Sequence, residues 1–346
     1  MLFRILGKDQ FHALVEIILK SNEVIAPKRI GAKANGQPIH EFLPISAFDE
    51  MDLHYRSTQY SAKTYFLPYQ ETLSTFRLHG GDWEQEIAYR SEPRAIIGLR
   101  AYDVNALVKL DKVFARGRFP SPYYISRRKN TFIVGIDHDP LEDEFSQSMG
   151  ADIVTHGFDL FLTDLGDRYF VAIASDHAFS LLSMVETAEV TDDDTQTYKE
   201  VRRRILEGFK TQINAKNLPN LLDLEFTSEV WKKWGKKCLS CGSCAMVCPT
   251  CYCYGVNEEV TMDFSEAKRV KQLYSCNILD FAEVAGGHNF RPDHETRLKY
   301  RYYHQHRGFM EDYDEPKCVG CNRCGRVCLA GINPPAVIKD LYEEDL

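Results

Sequence analysis

The chain has 346 residues, of which 44% are hydrophobic and 27% charged; these ordinary globular values exclude disordered, collagen-like and mucin-like classes. Its 42 basic and 50 acidic residues give a net charge of −8, which argues against a nucleic-acid partner. At roughly 100–200 residues per domain, the length fits two domains and is too great for a lone ferredoxin module.

The amino-terminal stretch MLFRILGKDQFHALVEIILK is interrupted by Lys8, Asp9, His12 and Glu16, unlike the uncharged core of a signal peptide. No apolar run approaches the roughly 18 residues a membrane span needs, so no membrane association and a cytoplasmic location are expected. Within that stretch, Phe11, Leu14, Val15, Ile18 and Leu19 recur at helical spacing and predict a helix over 9–20. RAIIGL (94–99) reads as a buried strand, YDVNALVKLDKVF (102–114) as a helix and TFIVGI (131–136) as a second strand. FDLFLTDLG and RYFVAIAS predict a hairpin around 158–175, turning near Gly166 and Asp167. The acidic TDDDTQ (191–196) reads as a turn, followed by a long polar helix over 197–217.

This order predicts an α+β protein: a mixed α/β domain over 1–190 serving as scaffold or partner-binding unit, a helical linker over 191–232, and a mainly helical, cysteine-rich domain over 233–346 with an inserted segment, 249–317. Neither GxGxxG nor GxxxxGK[ST] occurs, so the chain shows no phosphate-cradling nucleotide loop.

All 11 cysteines lie between Cys238 and Cys328. Such clustering in a cytosolic-looking chain points to metal rather than to disulfides. CLSCGSCAMVCP supplies Cys238, Cys241, Cys244 and Cys248; CVGCNRCGRVCL supplies Cys318, Cys321, Cys324 and Cys328, with Leu329 where proline is usual. Both have the C-x2-C-x2-C-x3-C spacing of two-cluster ferredoxins, in which the fourth cysteine of each run serves the other cluster. The expected cofactors are therefore two [4Fe-4S] clusters. One is assigned to Cys238, Cys241, Cys244 and Cys328, the other to Cys318, Cys321, Cys324 and Cys248. Zinc also accepts four thiolates, but its sites usually pair two C-x-x-C elements and do not repeat this run.

Cys251, Cys253 and Cys276 remain. With His288 they are a candidate third metal site; the alternative is that they are small buried residues beside the clusters. His288, His294, His304 and His306 lie in a basic stretch with Arg291, Arg297, Lys299, Arg301 and Arg307, interleaved with Tyr300, Tyr302 and Tyr303. This stretch reads as a helix packed on the cluster domain, or as a docking face for an acidic electron carrier, rather than as an RNA-binding patch.

The two cysteine runs, the continuation CPTCYC and the element AGGHNFR resemble the iron–sulfur beta subunit of cytoplasmic [NiFe] sulfhydrogenases, a group that includes the A subunit of anaerobic sulfite reductase. FLPYQETL, GLRAYDVNAL, LDKVF, YYISRR, SMGA and GFDLFLTDLGDRYFV extend the resemblance into the first domain. It implies a non-catalytic electron-transfer subunit, an obligate hetero-oligomer. Its partners would be a flavin/NAD(P)-binding reductase subunit and a catalytic subunit, hydrogenase-like or sulfite reductase-like. Family members often carry cysteines where this chain has Tyr102 and the stretch from Asp137 to Ser146. A self-contained iron–sulfur reductase whose first domain binds substrate is the alternative, and a zinc-bound interaction module is a third reading.

Overall fold

The computed structural model describes every residue except Met1, Gly80, Ala88, Arg90 and 344–346. The amino-terminal part runs β1 (Leu2–Gly7), α1 (Lys8–Leu19), β2 (Glu23–Ala32), β3 (Pro38–Ile45), β4 (Gln70–His79) and β5 (Asp82–Glu86). It continues with β6 (Arg94–Leu99), α2 (Ala101–Phe114), α3 (Pro122–Lys129), β7 (Thr131–Ile136), β8 (Leu160–Asp164) and β9 (Arg168–Ile173). Then follow α4 (Asp176–Leu182), α5 (Asp192–Gly208), α6 (Leu218–Leu224), α7 (Glu229–Gly235) and α8 (Ser243–Met246). The chain ends with β10 (Tyr254–Val260), β11 (Glu266–Leu273), α9 (His294–His306), α10 (Met310–Tyr313), α11 (Arg323–Arg326) and α12 (Pro334–Glu343).

Seven strands form one sheet in the order β1-β9-β8-β7-β6-β2-β3. Its centre is parallel, β2 to β6 to β7 to β8, and antiparallel strands flank it on both sides. The central strands carry apolar side chains on both faces because helices cover both. Phe11, Leu14, Val15 and Ile18 of α1 form one stripe and pack on one face with Ala95, Ile97 and Val134. Val104, Leu107 and Leu110 of α2 close the other face with Ile96, Leu99 and Ile133.

At the end of β6 the register against β7 shifts between Ile97 and Leu99. Gly98 makes the shift possible: its φ is +89° and a Cβ there would stand 2.9 Å from Leu53. The buried Tyr55 hydroxyl donates to the Gly98 carbonyl at 2.8 Å, fixing the bulge that launches α2.

A second sheet, β10-β11-β4-β5, is built from both halves of the chain. The β10–β11 hairpin lies within 249–317, and β11 pairs antiparallel with β4, Glu266 opposite Arg77 through Gln272 opposite Gln70. Buried Glu71 of β4 holds Lys271 at 2.6 Å and also bonds Arg127. This corrects the expectation of a mainly helical carboxyl-terminal part. Nearly every residue of β10 is exposed, so it shows little of the apolar alternation by which a half-buried strand is recognised.

The acidic stretch at 191–196 is likewise not a turn but a helix start. The Thr191 hydroxyl accepts from the Asp194 amide while the Asp194 carboxylate accepts from the Thr191 amide, a capping box that opens α5. That helix ends at Gly208, short of the expected 217. Among the described residues, no helix is long and apolar enough to cross a membrane.

Candidate metal centre

Each cysteine run is a loop entering a one-turn helix, and the two loops share one backbone shape. In the first, Ser240 and Gly242 have φ of 50° and 79°; in the second, Gly320 and Asn322 have 69° and 53°. These left-handed residues stand two and four positions after the first cysteine of each run. α8 and α11 then begin one residue later, each carrying the third cysteine. In both loops the left-handed amide at the second position donates to the first sulfur, Ser240 to Cys238 and Gly320 to Cys318, each at 3.4 Å. Amides pointed at sulfur stabilise thiolate charge, as cluster loops require.

The loops face each other and the runs cross. One cavity is lined by Cys318, Cys321 and Cys324 with Cys248 from the other run. A second is lined by Cys238, Cys241 and Cys244 with Cys328, and Cys324 borders it too. Cys328 also accepts from the Ile332 amide at 3.3 Å, and Cys244 from the Asn277 side chain at 3.3 Å. At least four cysteines line each cavity, a donor set suited to a [4Fe-4S] group.

Three elements hold this pair of loops. Trp231 and Trp234 of α7, Leu298 and Tyr302 of α9, and Val337, Ile338 and Leu341 of α12 form a core that includes Cys238. Around the second loop the amino-terminal part supplies the wall. Tyr102, Ala106 and Ala151 pack with Val319 and Cys321. The Phe145 amide donates to the Gly320 carbonyl at 3.0 Å, and Asn322 donates to the Asp143 carbonyl at 2.9 Å. Tyr102 therefore fills space behind the loop, edge-on to His138 at 5.2 Å.

The basic stretch of α9 turns inward. Arg297, Arg301 and Gln305 recur every fourth residue and all are buried. Arg297 donates to the Asn277, Arg291 and Pro292 carbonyls and to Ser240. Gln305 donates to Cys251 Sγ at 3.2 Å. Arg301 borders both cavities and donates to Cys251 Sγ at 3.4 Å and to the Cys244 carbonyl at 3.3 Å. Burial opposes its charge, but the sulfurs of Cys244, Cys251, Cys324 and Cys248 around it hold it firmly protonated. From sequence, Arg301 falls in a surface or packing helix. The i, i+4, i+8 recurrence of polar residues beside Leu298 and Tyr302 was the available signal.

The three remaining cysteines separate. Cys251 belongs with Cys248, toward which its thiol donates, and its carbonyl accepts from the buried Lys63 ammonium at 2.9 Å. Burial pulls the Lys63 ammonium below the usual lysine range. Cys253 and Cys276 instead meet His304, with the three ligand atoms within 4.8 Å of one another. The bond from Cys276, with Lys317 and Arg291 nearby, lowers the Cys253 thiol to about 6. Burial, with the same two cations and Arg301, lowers His304 to about 4. His288, the histidine named from the sequence, is exposed and sits edge-on to Phe290 at 4.9 Å.

The first cysteine run reaches solvent. Cys241 is exposed, and Leu239 and Leu329 are 59% and 89% accessible. Elsewhere a polar cleft lies beyond the carboxyl ends of β6, β7 and β8, lined among others by Arg56, Arg100, His138 and Arg204. Its inner charges are already engaged: Arg100 bonds the Leu53 and Asp137 carbonyls, and Asp137 pairs with Arg202 at 2.6 Å.

Residues 237–332 match the family described as a 4Fe-4S dicluster domain. Over 310 residues the chain is 35% identical to sulfhydrogenase 2 subunit beta of Pyrococcus furiosus, covering 88% of this chain and 89% of that one. No solved structure matches.

Proposed function

Because the chain belongs to the iron–sulfur beta-subunit family of sulfhydrogenases, and so has an iron–sulfur electron-transfer role, we propose that it relays electrons through two [4Fe-4S] clusters inside a multi-subunit redox complex. Cys238, Cys241, Cys244 and Cys328 would hold one cluster; Cys318, Cys321, Cys324 and Cys248 would hold the other. The observation that carries this reading is the crossing of the two runs, which brings the last cysteine of each run to the cavity lined by the first three cysteines of the other.

Each cluster, when bound, supplies one-electron storage with every iron coordinated by the protein. The chain's own residues supply the setting. Arg301 places a buried positive charge between the two sites, offsetting the charge of eight thiolates. Amides of Ser240, Gly320 and Ile332 donate to ligand sulfurs. Exposed Leu239, Cys241 and Leu329, beside exposed Lys236 and Lys237, form the face at which a partner subunit exchanges electrons. The partners are a flavin/NAD(P)-binding subunit and a catalytic subunit of hydrogenase-like or sulfite reductase-like type. The complex is cytoplasmic and hetero-oligomeric.

The polar cleft beyond β6, β7 and β8 supports a second reading, a self-contained reductase that binds substrate in its first domain. One experiment separates them. In the assembled complex, Cys321→Ala stops electron flow between partners if the relay holds; unchanged turnover contradicts it. Substrate reduction by the isolated chain with an artificial donor favours the second reading.

A further inference from the structure

The root of the β10–β11 hairpin is a meeting point of three elements. Tyr254 is paired with Leu273, and the Tyr274 amide donates to the Cys253 carbonyl at 2.8 Å. Cys253 therefore stands immediately before β10 and Cys276 shortly after β11, both at the open end of the hairpin. α9 passes the same point and contributes His304, three residues beyond Arg301. Cys276 is 3% exposed, whereas Cys253 and His304 are half-buried. None of the three lines either cluster cavity.

We propose that Cys253, Cys276 and His304 form a third metal site, separate from both clusters, that takes a single divalent cation of the zinc class. Their three donor atoms lie within 4.8 Å of one another, the spacing of ligands around one ion. Two thiolates and one imidazole nitrogen are a soft donor set that favours Zn2+ over Mg2+ or Ca2+. Three protein ligands leave the fourth tetrahedral position to water, which the half-buried Cys253 and His304 admit. The two thiolates cancel the charge of the ion, so it can lie near Arg291 and Lys317 without an added positive charge.

The ion would fasten the second sheet to α9 one turn from Arg301. It adds a fixed point to the helix that lies between the clusters, and it involves no cluster ligand. The site goes beyond the relay and does not depend on it.

The test is metal analysis of the full-length chain prepared without oxygen, together with His304→Ala and Cys276→Ser. Zinc, iron and acid-labile sulfide are counted in the same samples, and Co2+ is then added as a spectroscopic substitute. The expected result is one divalent cation per chain beyond the cluster iron, and a thiolate-to-cobalt charge-transfer band. Both are lost in each variant while iron and sulfide stay at wild-type level. His304→Ala, at a half-buried position, keeps the test usable if Cys276→Ser fails to fold. Absence of both the extra cation and the cobalt band from the wild-type chain overturns the site. So does retention of the cation in the variants, or a disulfide between Cys253 and Cys276. Loss of cluster iron in the wild type with zinc retained would count against the relay and leave this site standing.

Discussion

Arg323 and Asp103 form a two-pronged ion pair, with Nη1 to Oδ1 at 2.7 Å and Nη2 to Oδ2 at 2.8 Å, and both residues are almost fully buried. Arg323 lies between two cysteines of the second run; Asp103 lies in the first turn of α2. Arg323 also donates to the Thr58 carbonyl at 3.1 Å. The amino-terminal part thus fixes the second cluster loop directly. Removing one partner leaves a buried charge uncompensated, so Asp103→Ala should destabilise the fold by about 3–5 kcal/mol. Replacing both by apolar residues should recover most of that loss. Denaturant unfolding of the two single variants and the double variant checks both statements; equal loss in all three would contradict the second.

Gly320 offers a sharper probe of the same contact. Its φ is +69°, and a Cβ there would stand 2.5 Å from the Phe145 carbonyl oxygen. A side chain meets both backbone strain and a clash, so Gly320→Ala should cost at least about 1–3 kcal/mol. The loop it distorts belongs to the Cys318 run. Iron should therefore be lost from that site first, leaving the spectrum of the Cys238 site. An unchanged melting temperature would count against tight docking of this loop on the amino-terminal part.

The first sheet was legible from sequence where burial was two-sided. RAIIGL and TFIVGI coincide with β6 and β7, and the helices over 9–20 and 102–114 match α1 and α2 within a residue. The hairpin over 158–175 is β8 and β9. The second sheet was not legible, because β5 and most of β10 are exposed and β4 finds its other partner, β11, nearly 200 positions away. The two cysteine runs announced a metal centre through spacing alone. Arg301, Arg323 and Tyr102 did not, since a buried arginine cannot be told from a surface one until its sulfurs or its aspartate are placed around it. From sequence His288 stands out beside the spare cysteines, whereas the hairpin register, invisible in the sequence, brings His304 to Cys253 and Cys276.

Arg301 borders both cavities, so its charge would act on both of the proposed clusters. A nearby positive charge favours the reduced, more negative state. Arg301→Met should therefore move both midpoint potentials to more negative values, and Arg301→Lys should do so less. A redox titration followed by EPR reads both potentials. A shift confined to one cluster, or none, would contradict the placement between them.

The proposed crossed ligation has a direct consequence at Cys248. Cys248 lies in the first run by sequence but in the cavity of Cys318, Cys321 and Cys324 by structure. Cys248→Ala should perturb the cluster of the second run and spare that of Cys238, Cys241 and Cys244. The reverse pattern would mean that each run serves its own cluster.

The relay itself is tested most directly by iron and acid-labile sulfide content of the oxygen-free chain, with EPR after dithionite reduction. A two-cluster relay requires about eight irons and as many sulfides per chain beyond any ion at His304, with two magnetically interacting S = 1/2 signals. A chain that holds zinc and no iron, or a single isolated cluster signal with about four irons, would contradict it.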